Sequence, residues 1–235
     1  SPVPGYMDLR EAIVDKLKKE NHLDYTTGEV IVGTGGKQGV CNTILALVNP
    51  GDEVIIPAPY WVSYPQMAKL AGATPVIVRA GFEQDFKMTA EQLEAAITPK
   101  TKMLILCSPS NPTGSVYSQE ELNALAQVIL KHEDIFVLSD EIYEHINYVG
   151  KAASIASYPG MKERTIICNG VSKAYAMTGW RLGWVAAPAW IVKGINKLQG
   201  QYTSGTCDVS QKAAVAAYVA SQDCVEQMRV AFERR

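Results

Sequence analysis

Seven short runs of β-branched and aliphatic residues alternate along this chain with stretches of helical spacing, and that alternation limits the fold more than any other feature. In order the runs are EVIVGTG, DEVIIP, ATPVIV, KMLILCSP, DIFVLSDE, RTIICNG and RLGWVAAP, with helix-like stretches near 37–48, 61–71, 89–96, 118–132 and 188–200. Such an order builds βαβ units. It predicts an α/β fold with a mostly parallel central sheet and helices on both faces. MLILC at 103–107 and IFVL at 135–138 are apolar at every position. Burial on both sheet faces requires this, whereas a strand with one wet face would alternate.

The flanking signals agree. Leu9, Ile13 and Leu17 are spaced four apart in MDLREAIVDKLKKEN, which predicts an amphipathic helix over 7–20. Ser118 followed by Glu121 makes a capping box, and NPGDE at 49–53 closes one helix and starts a strand. The last stretch, from Cys207 onward, is Ala-rich and helical. It stops on charged residues without a terminating Gly or Pro, so the pattern reads as cut off there.

Composition narrows the function classes. The 235 residues are 47% hydrophobic and 20% charged, with a formal net charge of −2 and no local concentration of Lys or Arg. Neither a nucleic-acid footprint nor an anionic membrane surface is expected, and small molecules are the expected partners. No apolar run approaches the roughly 20 residues that span a bilayer, and residues 1–20 lack the order of a secretory signal, so a cytoplasmic protein is expected. The five cysteines are scattered in apolar surroundings and read as reduced core residues. With no C-x-x-C pair and three histidines far apart, no metal site is expected.

In an open parallel sheet, ligands bind beyond the carboxyl ends of the strands, and five of the seven runs end on chemically informative residues. V-G-T-G-G-K-Q-G-V at 32–40 passes through glycines into a helix, which offers free N–H groups to an anion. It is not a Walker A loop, because Ile31 and Gln38 stand where Gly and Ser or Thr are needed, and Gln38 also breaks a dinucleotide fingerprint. Taken alone, a ligand-free tight turn explains it equally well. P-A-P-Y-W-V-S-Y-P at 57–65 puts Trp61 where its face can stack on a heteroaromatic ring, although aromatics are more often core. S-P-S-N-P-T-G at 108–114 holds the Asn111 amide in a stiff turn.

S-D-E-I-Y-E-H at 139–145 places Asp140 at the mouth of a buried strand, where a carboxylate needs a cationic or proton-bearing partner, and Tyr143 follows it. N-G-V-S-K-A-Y-A-M-T-G-W-R-L-G at 169–183 carries Lys173 in apolar company, suited to attack on a carbonyl, and Arg181, suited to phosphate. Each signal has a bland structural alternative. The conjunction of phosphate donors, stacking ring, amide, buried acid, phenol, lysine and arginine in this order does not.

With these segments together, PSNPTG, SDEIY and SKAYAMTGWRLG above all, the chain resembles the class I aminotransferases of the fold-type-I pyridoxal-phosphate family, especially bacterial aspartate and aromatic aminotransferases. The resemblance implies pyridoxal 5′-phosphate as cofactor, with Lys173 forming the Schiff base and moving the proton, Asp140 holding the ring nitrogen, and Asn111 and Tyr143 on the ring oxygen. It also implies Trp61 as the stacking ring and Gly35, Gly36, Lys37, Ser172 and Arg181 around the phosphate. Gly170 departs from the family pattern, since many members carry a phosphate-binding Ser there, a loss for which Ser172 or water is expected to compensate.

The implied reaction moves an amino group from aspartate, glutamate or an aromatic amino acid to a 2-oxo acid, in a homodimer. The resemblance further implies that residues 1–235 are the cofactor-binding large domain, with an N-terminal segment and a C-terminal small domain absent and poor activity for the chain by itself. A β-lyase or cyclopropane-carboxylate synthase on the same fold, or a binding module that holds the cofactor without turnover, are the alternatives.

Overall fold

The computed structural model describes residues 1–235. All seven apolar runs form strands: β1 (Val30–Gly33), β2 (Glu53–Ala58), β3 (Thr74–Arg79), β4 (Thr101–Cys107), β5 (Phe136–Asp140), β6 (Thr165–Gly170) and β7 (Gly183–Ala186). They make one sheet in the order β1-β7-β6-β5-β4-β2-β3. The ladders from β6 through β3 are parallel, and β7 runs antiparallel to both β6 and β1. The carboxyl ends of β1, β2, β4, β5 and β6 therefore share one edge with the start of β7.

Eight helices cover the sheet: α1 (Met7–Asn21), α2 (Gly36–Leu47), α3 (Ser63–Leu70), α4 (Ala90–Ala96), α5 (Gln119–Ile129), α6 (Ala189–Tyr202), α7 (Asp208–Val219) and α8 (Asp223–Arg234). Alternate strand residues feed two apolar layers. On one face Ile31, Ile56, Ile105, Leu138, Ile166 and Val185 pack with Ile44 of α2, Met67 of α3 and Ile191 of α6. On the other, Val30, Ile167 and Trp184 pack under α1 and α7, while Ile55, Leu104 and Val137 pack under α5 with Leu93 of α4. Continuous apolar strands follow in the middle of the sheet, where both faces are covered, while edge strand β3 stays partly exposed.

Local signals set several boundaries. Leu9, Ile13 and Leu17 of α1 are fully buried. The Ser118 box forms, with Ser118 Oγ accepting from the Glu121 N–H and Glu121 Oε2 accepting from the Ser118 N–H at 2.8 Å. The stretch from Cys207 onward is helical as expected, in two helices. Ala220 adopts an extended conformation, and the Gln222 side-chain amide donates to the Ala217 and Ala220 carbonyls that the break leaves free. The cysteine reading also needs correction: Cys168 is buried and Cys41 and Cys107 are half-buried, but Cys207 and Cys224 are exposed beside the ends of α7 and α8. Ala-rich surroundings there belong to surface helices rather than to the core.

At the shared edge, three glycines lie in register, Gly33 opposite Gly183 and Gly183 opposite Gly170. A Cβ at Gly183 would sit 2.3 Å from the Gly36 nitrogen and 2.5 Å from the Gly35 carbonyl carbon. Those are backbone atoms at the start of α2, which no rotamer change relieves. Gly183→Ala is therefore expected to cost about 3 kcal/mol of stability, read as a lower urea midpoint. An unchanged midpoint would show that the turn gives way freely.

Candidate active site

The turn between β1 and α2 is built to face an anion. Gly35 caps α2 at φ 85, a conformation that disfavours a side chain. Gln38, which broke both nucleotide motifs, locks the turn: its Oε1 accepts from the Thr34 N–H at 2.6 Å and its Nε2 donates to Thr203 Oγ1 at 2.6 Å. The first N–H groups of α2 lack intrahelical acceptors and carry the positive end of its dipole. Arg181 lies beside them. Its Nη1 donates to the Thr178 carbonyl at 2.7 Å, and a Cβ on Gly35 would fall 2.5 Å from its Nη2. Guanidinium and helix terminus thus converge on one point.

From there a cavity of about 230 Å³ runs along the sheet edge, lined by twelve residues. Of the predicted site residues, Gly36, Lys37, Trp61, Asn111, Asp140, Tyr143, Ser172, Lys173 and Arg181 all line it, and Gly35 lies behind Arg181. The lining brings an amine, a carboxyl, a phenol and an amide around a space that admits a small aromatic molecule.

Asp140 forms the floor at the end of β5 and is 6% exposed. Its carboxylate accepts from the Tyr64 hydroxyl at 2.6 Å and from the Ile142 N–H at 3.3 Å, both neutral donors. Cys107 and Cys168 flank it in register on β4 and β6. Burial raises its pKa above the ordinary aspartate value, against the opposing pull of Tyr64, Ile142 and Lys173. Trp61 stands on the cavity wall between Tyr64, edge-on at 5.3 Å, and Lys37, whose Nζ lies 4.9 Å from the ring centroid. Asn111 Nδ2 donates to the Tyr143 hydroxyl at 3.4 Å, and Lys173 Nζ lies 5.6 Å from the Tyr143 ring centroid.

The Gly170 departure has a steric reason, since a Cβ there would meet Gly183 Cα at 2.7 Å and the Leu182 carbonyl oxygen at 2.8 Å. A serine does not fit unless β7 moves, and Ser172 supplies the hydroxyl at the cavity instead. Sequence reasoning missed Tyr64, Ile142 and Thr178, which also line the cavity. Tyr64 had a signal, because it follows Trp61 by one helical turn in the same quoted segment.

A family model for aminotransferase class I and II matches residues 1–235. The chain belongs to that family. It is 50% identical over 235 residues to an aspartate/prephenate aminotransferase of Cereibacter sphaeroides, covering 99% of this chain and 59% of that protein. A bifunctional aspartate aminotransferase and glutamate/aspartate-prephenate aminotransferase of Petunia hybrida is 53% identical over 218 residues, covering 92% of this chain and 46% of that one. Among solved structures, the aspartate aminotransferase of Rhizobium meliloti superposes with a TM-score of 0.98 at 42% identity, covering 100% of this chain and 59% of that one. The chain thus spans about three-fifths or less of the relatives it matches. No helix is long and apolar enough to cross a membrane.

The cavity has a second buried acid close by. Glu141, 4% exposed, points to the opposite sheet face, where Ser139 and Ser154 hydroxyls donate to its Oε1 at 2.8 and 2.6 Å. Burial and the neighbouring Glu144 charge push its pKa from 4.5 to about 7, against the two hydroxyls and Lys16. The folded state therefore keeps this proton between about 4.5 and 7 while the unfolded chain releases it. Stability from this group is lost as pH rises through that window, by roughly 3 kcal/mol at most. Glu141→Gln should remove that slope, seen as a smaller drop in urea-unfolding free energy between pH 5 and 8. An identical drop in parent and variant would rule this assignment out.

Proposed function

We propose that the chain is the cofactor-binding large domain, residues 1–235, of a pyridoxal-phosphate aminotransferase that moves an amino group from aspartate to a 2-oxo acid. One observation carries the reading: an amine, a buried acid, a phenol and an anion site surround a single cavity. Pyridoxal 5′-phosphate fits this donor set. The Asp140 carboxylate is buried on neutral partners and calls for a cation, and the glycine turn leaves open the place that a side chain would fill.

The residues divide the work by position. The α2 N-terminus at Gly36 and Lys37, with Arg181 and Ser172, would hold the phosphate, and the Trp61 face would hold the ring. Asp140 would keep the ring nitrogen protonated, and Asn111 and Tyr143 would hydrogen-bond the ring oxygen. When bound, the cofactor supplies an aldehyde carbon for amines and a conjugated pyridinium that draws off the electron pair left at Cα. Lys173 Nζ is the amine that would hold the cofactor and, when free, would carry a proton to and from the substrate Cα. Tyr64 fixes the Asp140 carboxylate through its hydroxyl.

The substrate class is supported by the relatives, named for aspartate and prephenate amino transfer, and by a Thermus thermophilus aspartate aminotransferase, 42% identical, whose structure was solved with maleate. A homodimer in the reducing cytoplasm suits the five free thiols and the family, with the grip on the substrate α-carboxylate supplied from outside these residues. Adding pyridoxal phosphate should produce a visible absorption band distinct from that of the free cofactor, absent from Lys173→Ala. A parent protein without the band at saturating cofactor, or a variant that keeps it, would refute the site. Amino transfer by the longer protein from aspartate to 2-oxoglutarate tests the substrate, and lyase products, ammonia and pyruvate, would overturn it.

A further inference from the structure

Two loops carry the reactive side chains of the cavity: residues 141–148 after β5 hold Tyr143, and residues 171–182 after β6 hold Lys173. The β5–β6 ladder ends where the Glu141 N–H donates to the Cys168 carbonyl at 2.9 Å. Beyond it, one side-chain hydrogen bond ties the first loop to the end of β6, where the second loop begins, from Asn169 Nδ2 to Glu144 Oε1 at 2.6 Å. The other end of the same amide accepts from the Gly170 N–H at 2.7 Å. A single planar group therefore spans from the neighbour of Tyr143 to the backbone three residues before Lys173.

Glu144 is itself held from α1. Lys16 Nζ donates to its Oε1, and Asn21 Nδ2 donates to its Oε2 at 2.8 Å. The ion pair is almost fully enclosed, with side-chain exposures of 3% for Lys16 and 7% for Glu144. His145 closes the cluster, 2.9 Å from Glu20 and 3.7 Å from Glu144, with its ring 6.3 Å from that of Tyr175 in the Lys173 loop. Glu20, Glu144 and His145 thus bring ligand atoms together from distant parts of the sequence, but the Lys16 ammonium occupies their centre. Burial alone would raise the Glu144 pKa. The Lys16 and His145 charges and the hydrogen bonds from Lys16 and Asn21 bring it down to about 2.

A buried ion pair adds little net stability over well-packed apolar groups, so this cluster calls for another role. Its hydrogen bonds are charge-assisted and short, the kind that fix geometry most firmly. Proton transfer is sensitive to displacements well under 1 Å, and supporting shells hold reactive groups within such limits. We infer that Glu144, acting through Asn169, is a positioning residue that sets the spacing between the Tyr143 phenol and the Lys173 amine. Glu144 does not line the cavity; it acts on it from behind. The inference rests on the pyridoxal-phosphate reading for its functional consequence, but its structural content does not need the cofactor.

The test uses Asn169→Ala, Glu144→Gln, their double variant, and the milder Asn21→Ala, which keeps the question open to experiment if a buried variant does not fold. In cofactor-free protein, hydrogen exchange should accelerate in both 142–148 and 169–175. With pyridoxal phosphate, the visible band should form about tenfold more slowly in Asn169→Ala, its pH midpoint should shift, and the double variant should lose no more than either single one. Asn21→Ala should move the same readouts in the same direction by less. A lower melting temperature with unchanged exchange, rate and midpoint would overturn the inference, as would additive losses in the double variant. If the parent itself shows no band, the cofactor reading fails, and unaltered loop exchange in the variants would still defeat the positioning role separately.

Discussion

Backbone packed directly on backbone, with no side chain between, sets the geometry of this molecule. Gly183 at the start of β7 rests on the Gly35–Gly36 turn, and Gly170 rests on Gly183. Because β7 runs antiparallel between β6 and β1, the chain leaving the Lys173 loop must turn back at this contact. That return places Arg181, two residues before Gly183, against Gly35. The anion site is thus a product of sheet topology as much as of the glycine turn. Any side chain at the contact would separate guanidinium from helix terminus and dissolve the convergence.

The same edge carries both signs of charge. Arg181 and the α2 terminus make the anion site, while the Asp140 carboxylate lies elsewhere on the same cavity within the field of Lys173, with Trp61 on the wall. A flat molecule with an anionic tail and a basic ring nitrogen matches both. Asp140 remains without a charged hydrogen-bond partner of its own, its raised pKa being the cost of burial between two sulfurs and a tyrosine. Strand alternation then assigns the second acid, Glu141, to the opposite face, so two adjacent carboxyls serve unconnected environments.

The sheet was legible in the sequence because burial on both faces writes the same signal into the central strands, and the Ser118 box was legible because a cap is local. Nine of the ten predicted site residues line one cavity because ligand sites in parallel sheets follow strand ends. What was missed is long-range. Tyr64 reaches Asp140 across 76 positions and Lys16 reaches Glu144 across 128, and neither pairing leaves a trace in local spacing. Exposed Cys207 and Cys224, and the break at Ala220, escaped for a related reason: apolar small-residue sequence looks alike whether its helix is buried or lies on the surface.

The division of labour between the two sheet faces follows from these contacts. One face supplies the chemistry, through Asp140, Tyr64 and the α2 terminus, all reached by side chains that leave the strands on the side of α2 and α3. The other supplies the fixing, through α1, whose Lys16 and Asn21 reach around to the loop behind Tyr143. A helix with Leu9, Ile13 and Leu17 fully buried is a firm anchor, since its displacement would open an apolar layer to water. Apolar burial of α1 is thereby converted, through one ion pair and one amide, into a constraint on where Lys173 meets Tyr143.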